Sequence, residues 1–304
     1  MDKRVLSKNG IGFILAIFSA LLWGTNGTFC AILSELGLST INIAELAPMF
    51  IFVFNFLVLV LTNRSAFKVE KKYLLLLMID GIFSSGVNFS FVKSVTYFPV
   101  GIVSTLVYCN VFTIMILSRV AFKNKITLQK VIASIVAVIG VGLVLDIFSA
   151  GFSLNYFGLL WIILTISMWS MMVTIEKYLL DHSIDGNAVL MYMGLFAVIG
   201  LSFISPPWTL VQSIVKISDQ TAGMALLAVF SYGMLPQIGC YYFYIKSLQF
   251  IEPSYIQVAY SLDPVTAVIL GYFIFNQSMN LTQILGILLI LTVVGYVQVK
   301  ESKM

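Results

Sequence analysis

Ten apolar stretches of about twenty residues follow one another along this chain, separated by short joins. A helix needs about that length to cross the hydrocarbon core of a bilayer. The stretches run over residues 10–34, 43–62, 73–92, 100–118, 130–148, 155–178, 187–206, 222–245, 254–275 and 281–299. Only 10% of the 304 residues are charged and 60% are hydrophobic, whereas a water-soluble domain carries about a quarter charged residues. There is too little polar surface here to wet a globule. A soluble enzyme, a secreted disulfide scaffold, a disordered chain and a nucleic-acid binder are excluded together. Cys30, Cys109 and Cys240 lie inside apolar stretches at no metal-ligand spacing, and the single His182 removes most histidine-based catalysis. With no phosphate loop and no Ser/His/Asp arrangement either, the sequence predicts no cofactor, no metal and no catalytic site. It predicts an all-α integral membrane protein whose surroundings are the lipid bilayer.

The first span follows Lys3, Arg4 and Lys8, as a signal peptide would. Its apolar run is too long for a signal segment and lacks an Ala-x-Ala-like exit, so it is read as a retained helix. Orientation follows from the distribution of Lys and Arg, which concentrate on the cytoplasmic side. With ten spans and a cytoplasmic N-terminus, 15 of the 17 fall inside and only Lys93 and Lys216 outside. Both termini are expected in the cytoplasm, the membrane being a bacterial cytoplasmic one.

The chain also repeats itself. Residues 91–145 align without a gap to 244–298 at an offset of 153: Lys93-Ser94 meets Lys246-Ser247, Thr113 meets Thr266, Phe122 meets Phe275 and Gly142 meets Gly295. The first spans of the two halves match at an offset of 146, where Gly12 meets Gly158 and Trp23 meets Trp169. The division expected is a five-helix repeat over 1–152 and a second over 153–304. Five is odd, so the second repeat enters the membrane from the opposite side. Inverted repeats are a recurring transporter plan, with the substrate site near the midplane where the halves meet.

Each half opens with a glycine-then-tryptophan helix, Gly12 to Trp23-Gly24-Thr25-Asn26 and Gly158 to Trp169-Ser170. The second half continues through Tyr244-Ile245-Lys246-Ser247, Ser261-Leu262-Asp263-Pro264 and Phe275 into Leu281-Thr282-Gln283. In this order and spacing the chain resembles the ten-helix EamA-type branch of the drug/metabolite transporter superfamily over nearly its whole length. The resemblance implies ten helices in two inverted repeats around a cavity that carries small metabolites, often amino acids leaving the cell. One departure is visible: the family usually has a glutamate just after the fourth helix of each half, where this chain has Asn124 and Gln277.

An ionisable side chain at membrane depth costs at least ~2.5–3.5 kcal/mol on insertion scales and is a functional candidate by default. Asp80 and Asp263 are the two read as lying well inside spans, suited to holding a substrate ammonium or a coupling proton; the alternative is a buried acid that only fixes packing. Pro264 and Pro236 lack an N–H and free the carbonyls four residues back, on Tyr260 and Tyr232. Such carbonyls are tolerated only against protein or a wet cavity. Helical spacing then places Trp23 and Asn26 on one stripe, Trp169 on its counterpart, Gln237 and Tyr241 on one face of the eighth span, and Gln257 and Tyr260 on the ninth. Together with Tyr108 and Tyr232 these aromatics are too bulky for tight helix crossings and suit a cavity wall. Ala133, Ala137, Gly140, Gly142, Gly286 and Gly295 read instead as close-packing positions, within the fold or between protomers.

The function expected is that of a secondary transporter, not an enzyme. It would export a small-molecule substrate, an amino acid or amine, by alternating access. Organic cations and nucleosides are alternative substrates. An intramembrane enzyme and a membrane subunit without flux are the alternative readings. Monomer and homodimer both remain open.

Overall fold

The structure is a computed structural model that describes residues 8–98, 100–147, 155–220 and 223–301. Lys3, Arg4 and Lys303, counted in the charge bias, and the join at 152/153 lie outside them. The first half comprises α1 (Lys8–Trp23), α2 (Asn26–Glu35), α3 (Thr40–Thr62), α4 (Lys71–Val95), α5 (Val100–Val107), α6 (Asn110–Phe122) and α7 (Leu128–Val144). The second comprises α8 (Tyr156–Asp181), α9 (Gly186–Ser202), α10 (Pro207–Gln220), α11 (Met224–Tyr232), α12 (Cys240–Leu248), α13 (Pro253–Tyr260), α14 (Leu262–Phe275) and α15 (Leu281–Glu301). No strand occurs among the described residues.

Local chemistry sets several boundaries. Ser39, Thr127, Asn155 and Asp185 each accept a hydrogen bond from a backbone N–H in the first turn of α3, α7, α8 and α9, satisfying donors that helix geometry leaves free. At the other end, α6 and α14 stop on left-handed residues, Lys123 (φ 59°) and Asn276 (φ 52°). The next N–H groups, of Asn124 and Gln277, return to the carbonyls of Ser118 and Gly271, a Schellman-type closure. These residues are equivalent at the offset of 153, so the two halves end their fourth span alike.

Among the described residues, eight helical segments are long and apolar enough to cross a membrane: 8–35, 40–62, 71–95, 102–122, 156–181, 224–248, 253–275 and 281–300. α7 and α9, with 17 residues each, are shorter. The sequence carried the seventh stretch through to residue 206. In the structure α9 ends at Ser202 and the chain turns by 90° into α10, whose polar residues and paired prolines, Pro206-Pro207, interrupt the apolar run. α10 buries Leu210 and Ile217 and exposes Trp208, Val211 and Val215, an amphipathic helix absent from the sequence reading.

The helix pairing is that of a two-part repeat. α4 packs along α8 as α12 packs along α1; α5 and α6 lie against α8 as α13 and α14 lie against α1; α3 meets α9, and α7 meets α15. Exchanging the halves leaves this pattern unchanged. Individual contacts repeat too. A Cβ on Gly12 would sit 2.7 Å from Phe250 Cβ, and one on Gly158 would sit 2.7 Å from Tyr97 Cβ, the equivalent residue. The Lys93 ammonium lies over the Phe89 ring as that of Lys246 lies over Tyr242. At the α7–α15 crossing, a Cβ on Gly286 would meet the Val144 nitrogen at 2.7 Å, whereas Gly295 has nothing within 4 Å. Small residues therefore bring backbones together within the fold at one of these positions and leave open space at the other.

Candidate functional site

Three spans break near their middles: at Gly24-Thr25 between α1 and α2, at Tyr108-Cys109 between α5 and α6, and at Ser261 between α13 and α14. The last two breaks are equivalent at the offset of 153. Gly24 belongs to the first because a Cβ there would lie 2.5 Å from Thr266 Cβ and 2.6 Å from the Asp263 carbonyl oxygen. Pro264 falls in the first turn of α14, where its missing N–H costs little. The carbonyl of Tyr260 accepts a hydrogen bond from Tyr108 Oη at 3.3 Å. A freed carbonyl near the breaks is thus satisfied by protein, as the proline led us to expect.

Where the breaks meet lies a cavity of about 500 Å³, within the range that holds small-molecule ligands. Its wall takes Trp23, Asn26 and Gly27 from the first span, Val87, Asn88 and Phe91 from α4, and Ser104, Val107, Tyr108 and Asn110 from the fourth span. Leu145 and Trp169 join them, with Gln257, Tyr260, Asp263, Pro264 and Ala267 from α13 and α14. Four pairs of these are repeat equivalents: Trp23 and Trp169, Ser104 and Gln257, Val107 and Tyr260, Asn110 and Asp263. The wall holds one carboxyl group, Asp263, and no Lys, Arg or His among the described residues.

Polar partners fix several of these side chains. Tyr108 Oη donates to Asp263 Oδ2 at 2.6 Å, and Asp263 stands in the first turn of α14, where the helix dipole favours a negative charge. Gln237 Nε2 donates to Asn26 Oδ1 at 3.0 Å. The Tyr260 hydroxyl meets Ser19 Oγ at 2.7 Å. Asn110 is 3% exposed, and its buried Oδ1 has no hydrogen-bond partner among the described residues.

Below Trp23 and Trp169 the packing tightens. Trp23, Trp169, Met172, Cys240, Tyr241, Tyr244, Gln257 and Tyr260 enclose only about 20 Å³, room for about one water. Trp23 meets Tyr241 edge-on at 6.0 Å, and Tyr244 meets Tyr260 the same way at 6.1 Å. This layer closes one end of the cavity.

Of the residues singled out in the sequence, Trp23, Asn26, Tyr108, Trp169, Gln257, Tyr260 and Asp263 are brought together around the cavity. Tyr241 lies in the closed layer. Gln237 supports Asn26 from behind, within a π-helical segment, Gly233–Gly239, that contains Pro236. Tyr232 is elsewhere, packed with Leu33, Leu38 and Leu46, its hydroxyl toward the Ile43 carbonyl. Asp80 is outside the cavity wall and fully buried. The sequence named Asn110 only as the repeat mate of Asp263, placed Glu176 on the inward stripe of the sixth span without reading it as a buried acid, and did not single out Glu45; the two glutamates are 0% and 5% exposed. Both fall near the ends of apolar stretches, where a charge reads as a boundary. No group of three or more His, Cys, Asp or Glu comes together among the described residues.

The sequence profile described as "EamA-like transporter family" matches this chain twice, over residues 10–146 and 156–297. The chain belongs to the EamA-like transporter family. It is thus a multi-pass membrane protein of a transporter family, built of two matching halves. No curated protein matches it. A solved structure titled only "Crystal structure of protein" superposes with a TM-score of 0.75 at 14% identity, covering 96% of this chain and 98% of that one. At that identity the likeness speaks for the fold alone.

Proposed function

We propose that this EamA-family chain is a secondary transporter that exports a small amine or amino acid from a bacterial cytoplasm. It would cross the membrane ten times as two inverted five-helix repeats, α7 and α9 included, with both termini cytoplasmic. The observation that carries the reading is the 500 Å³ cavity at the helix breaks, walled by aromatic residues from both halves and bearing one acid. Trp23, Trp169, Tyr108 and Tyr260 would hold the apolar body of the substrate, and Asn26 and Gln257 would orient its polar groups. Asp263 would hold its ammonium. In this reading Asn88 and Phe91 lie toward the outside and Tyr241 and Tyr244 toward the cytoplasm. The structure then corresponds to an outward-facing state, and alternating access would close the upper cavity and part the lower layer.

The test is counterflow in liposomes preloaded with a panel of unlabelled amino acids and amines, followed by uptake of the labelled compounds at two pH values. Saturable uptake of an amine-bearing compound that falls in Asp263→Asn is expected. A folded protein that carries none of the panel sinks this reading of the substrate.

A further inference from the structure

Two acids outside the cavity wall, Asp80 on α4 and Glu176 on α8, are each 0% exposed. The helices run antiparallel, since Gly86 lies against Met168 and Ser90 Oγ meets Thr165 Oγ1 at 2.8 Å. From that last contact Asp80 is ten residues back along α4 and Glu176 eleven residues on along α8. At a rise of about 1.5 Å per residue both acids arrive within about 2 Å of the same height, and their charges interact. Glu176 lies about 10 Å, two helical turns, beyond Trp169, beneath the closed layer.

Their polar atoms are nearly all unsatisfied. Both oxygens of Asp80 and Oε1 of Glu176 lack a hydrogen-bond partner among the described residues. Glu176 Oε2 accepts from Tyr244 Oη. Among the described residues no cation offsets the acids. Lys177, next in sequence, sends its ammonium to the Leu248 carbonyl and to Asp181, at 2.8 and 2.9 Å. On α9, Tyr192 donates to the Phe67 carbonyl, and on α6 Arg119 turns to the Lys123 carbonyl. On α4, Tyr73 packs against the His182 ring. The titratable groups of α12 that face the acids are Tyr241, which interacts with both, and Tyr244. Two carboxylates at the same height on packed helices, in a dry space with no cation beside them among the described residues, cannot both stay charged. A proton between them removes one charge and gives an oxygen the donor it lacks.

We propose that Asp80 and Glu176 are a proton-carrying carboxyl pair, which holds a proton while the layer under Trp23 and Trp169 is closed and releases it to water when that layer parts. The proton leaves from one carboxyl oxygen to a water that enters, and the pair then stands as two solvated carboxylates. Asp263, with its tyrosine partner in the cavity, is left to the substrate. Neither repeat mate, Gly233 for Asp80 nor Cys30 for Glu176, is an acid, so the proton site exists at one end of the molecule only. The use of this proton rests on the transporter reading above; its presence does not.

Infrared spectra of the full-length protein in lipid at neutral pH test the pair directly. The expected result is a carboxylic-acid C=O band characteristic of a dry site, which both Asp80→Asn and Glu176→Gln remove or shift and Asp263→Asn leaves in place. These substitutions keep the shape of a protonated acid, and thermal melting verifies that the variants fold. A wild-type spectrum without the band, or a band indifferent to both substitutions, overturns the proposal. In liposomes carrying the same amine and amino-acid panel, wild-type counterflow should change with the pH of the compartment that bathes the pair, because closing the layer takes up a proton and parting it releases one. Asp80→Asn and Glu176→Gln should keep counterflow and lose that pH dependence, and a retained dependence overturns the use of the proton. If the wild type carries no probe, the transporter reading fails and the infrared band alone decides the pair.

Discussion

The surface of α4 and its repeat counterpart on α12 occupy equivalent places in the two halves and do opposite things. Val87, Asn88 and Phe91 border a 500 Å³ cavity, whereas their equivalents at the offset of 153, Cys240, Tyr241 and Tyr244, close around about 20 Å³. The scaffolds under them agree down to the left-handed caps and the Gly12 and Gly158 contacts. Side-chain size and polarity differ: two tyrosines and a buried acid partner stand where the first half has asparagine and phenylalanine. A two-part repeat thus puts an open and a closed version of one interface into a single molecule, and the comparison is open to attack at several points.

The largest effect is expected where the halves meet with least room. Gly286→Leu would drive its side chain into the backbone of α7, beyond the ~1–3 kcal/mol of ordinary overpacking. Loss of monodisperse protein in size-exclusion chromatography is expected, while Gly295→Leu should leave the elution unchanged. Equal behaviour of the two would undo the close α7–α15 crossing at Gly286. Next in size is Asp263→Asn. Removing one partner of a buried charge pair costs about 2–5 kcal/mol, so uptake of an amine probe should fall at least about thirtyfold. Moving the acid to its repeat mate, with Asn110→Asp in the same chain, should recover part of it. No recovery would mean that the two halves contribute to the cavity unequally even at equivalent positions.

Tyr108→Phe should be milder. It removes one hydrogen bond to a carboxyl group, about 1.5–3 kcal/mol, and apparent affinity for the same probe should drop without loss of folded protein. An unchanged affinity would place the Asp263 carboxyl outside substrate recognition. The smallest effect compares the repeats themselves. Gly12→Ala and Gly158→Ala each push a methyl group against an equivalent aromatic residue, about 1–3 kcal/mol apiece. Their melting temperatures should fall by matching amounts, and a one-sided loss would break the equivalence.

Much of the cavity was legible beforehand because its residues depart from what lipid accepts. Trp23, Trp169, Gln257, Tyr260 and Asp263 recur at helical spacing in spans otherwise made of Leu, Ile, Val and Phe, and that contrast is local. Tyr232 has the same local signature and yet packs among Leu33, Leu38 and Leu46. An aromatic face says that a helix has a protein neighbour; it does not say which one. Glu176 falls on the inward stripe of the sixth span with Thr165 and Trp169, but it was not read as a buried acid, because a charge near the end of an apolar run is ordinarily wetted by the interface. Only the position of Tyr244 and α4 buries it. The bend after Ser202 was missed because apolar composition continues through a turn.

The membrane class, the two-part repeat and the identity of most polar side chains that face inward follow from the sequence alone, because each rests on composition or period within one span. Tertiary structure alone decided which equivalent faces part and which close, and which acids, 96 residues apart in the chain, come to the same height. Those outcomes depend on how far one helix slides and tilts against another. That is a balance of side-chain volumes contributed by several spans at once, and no single stretch of sequence contains it.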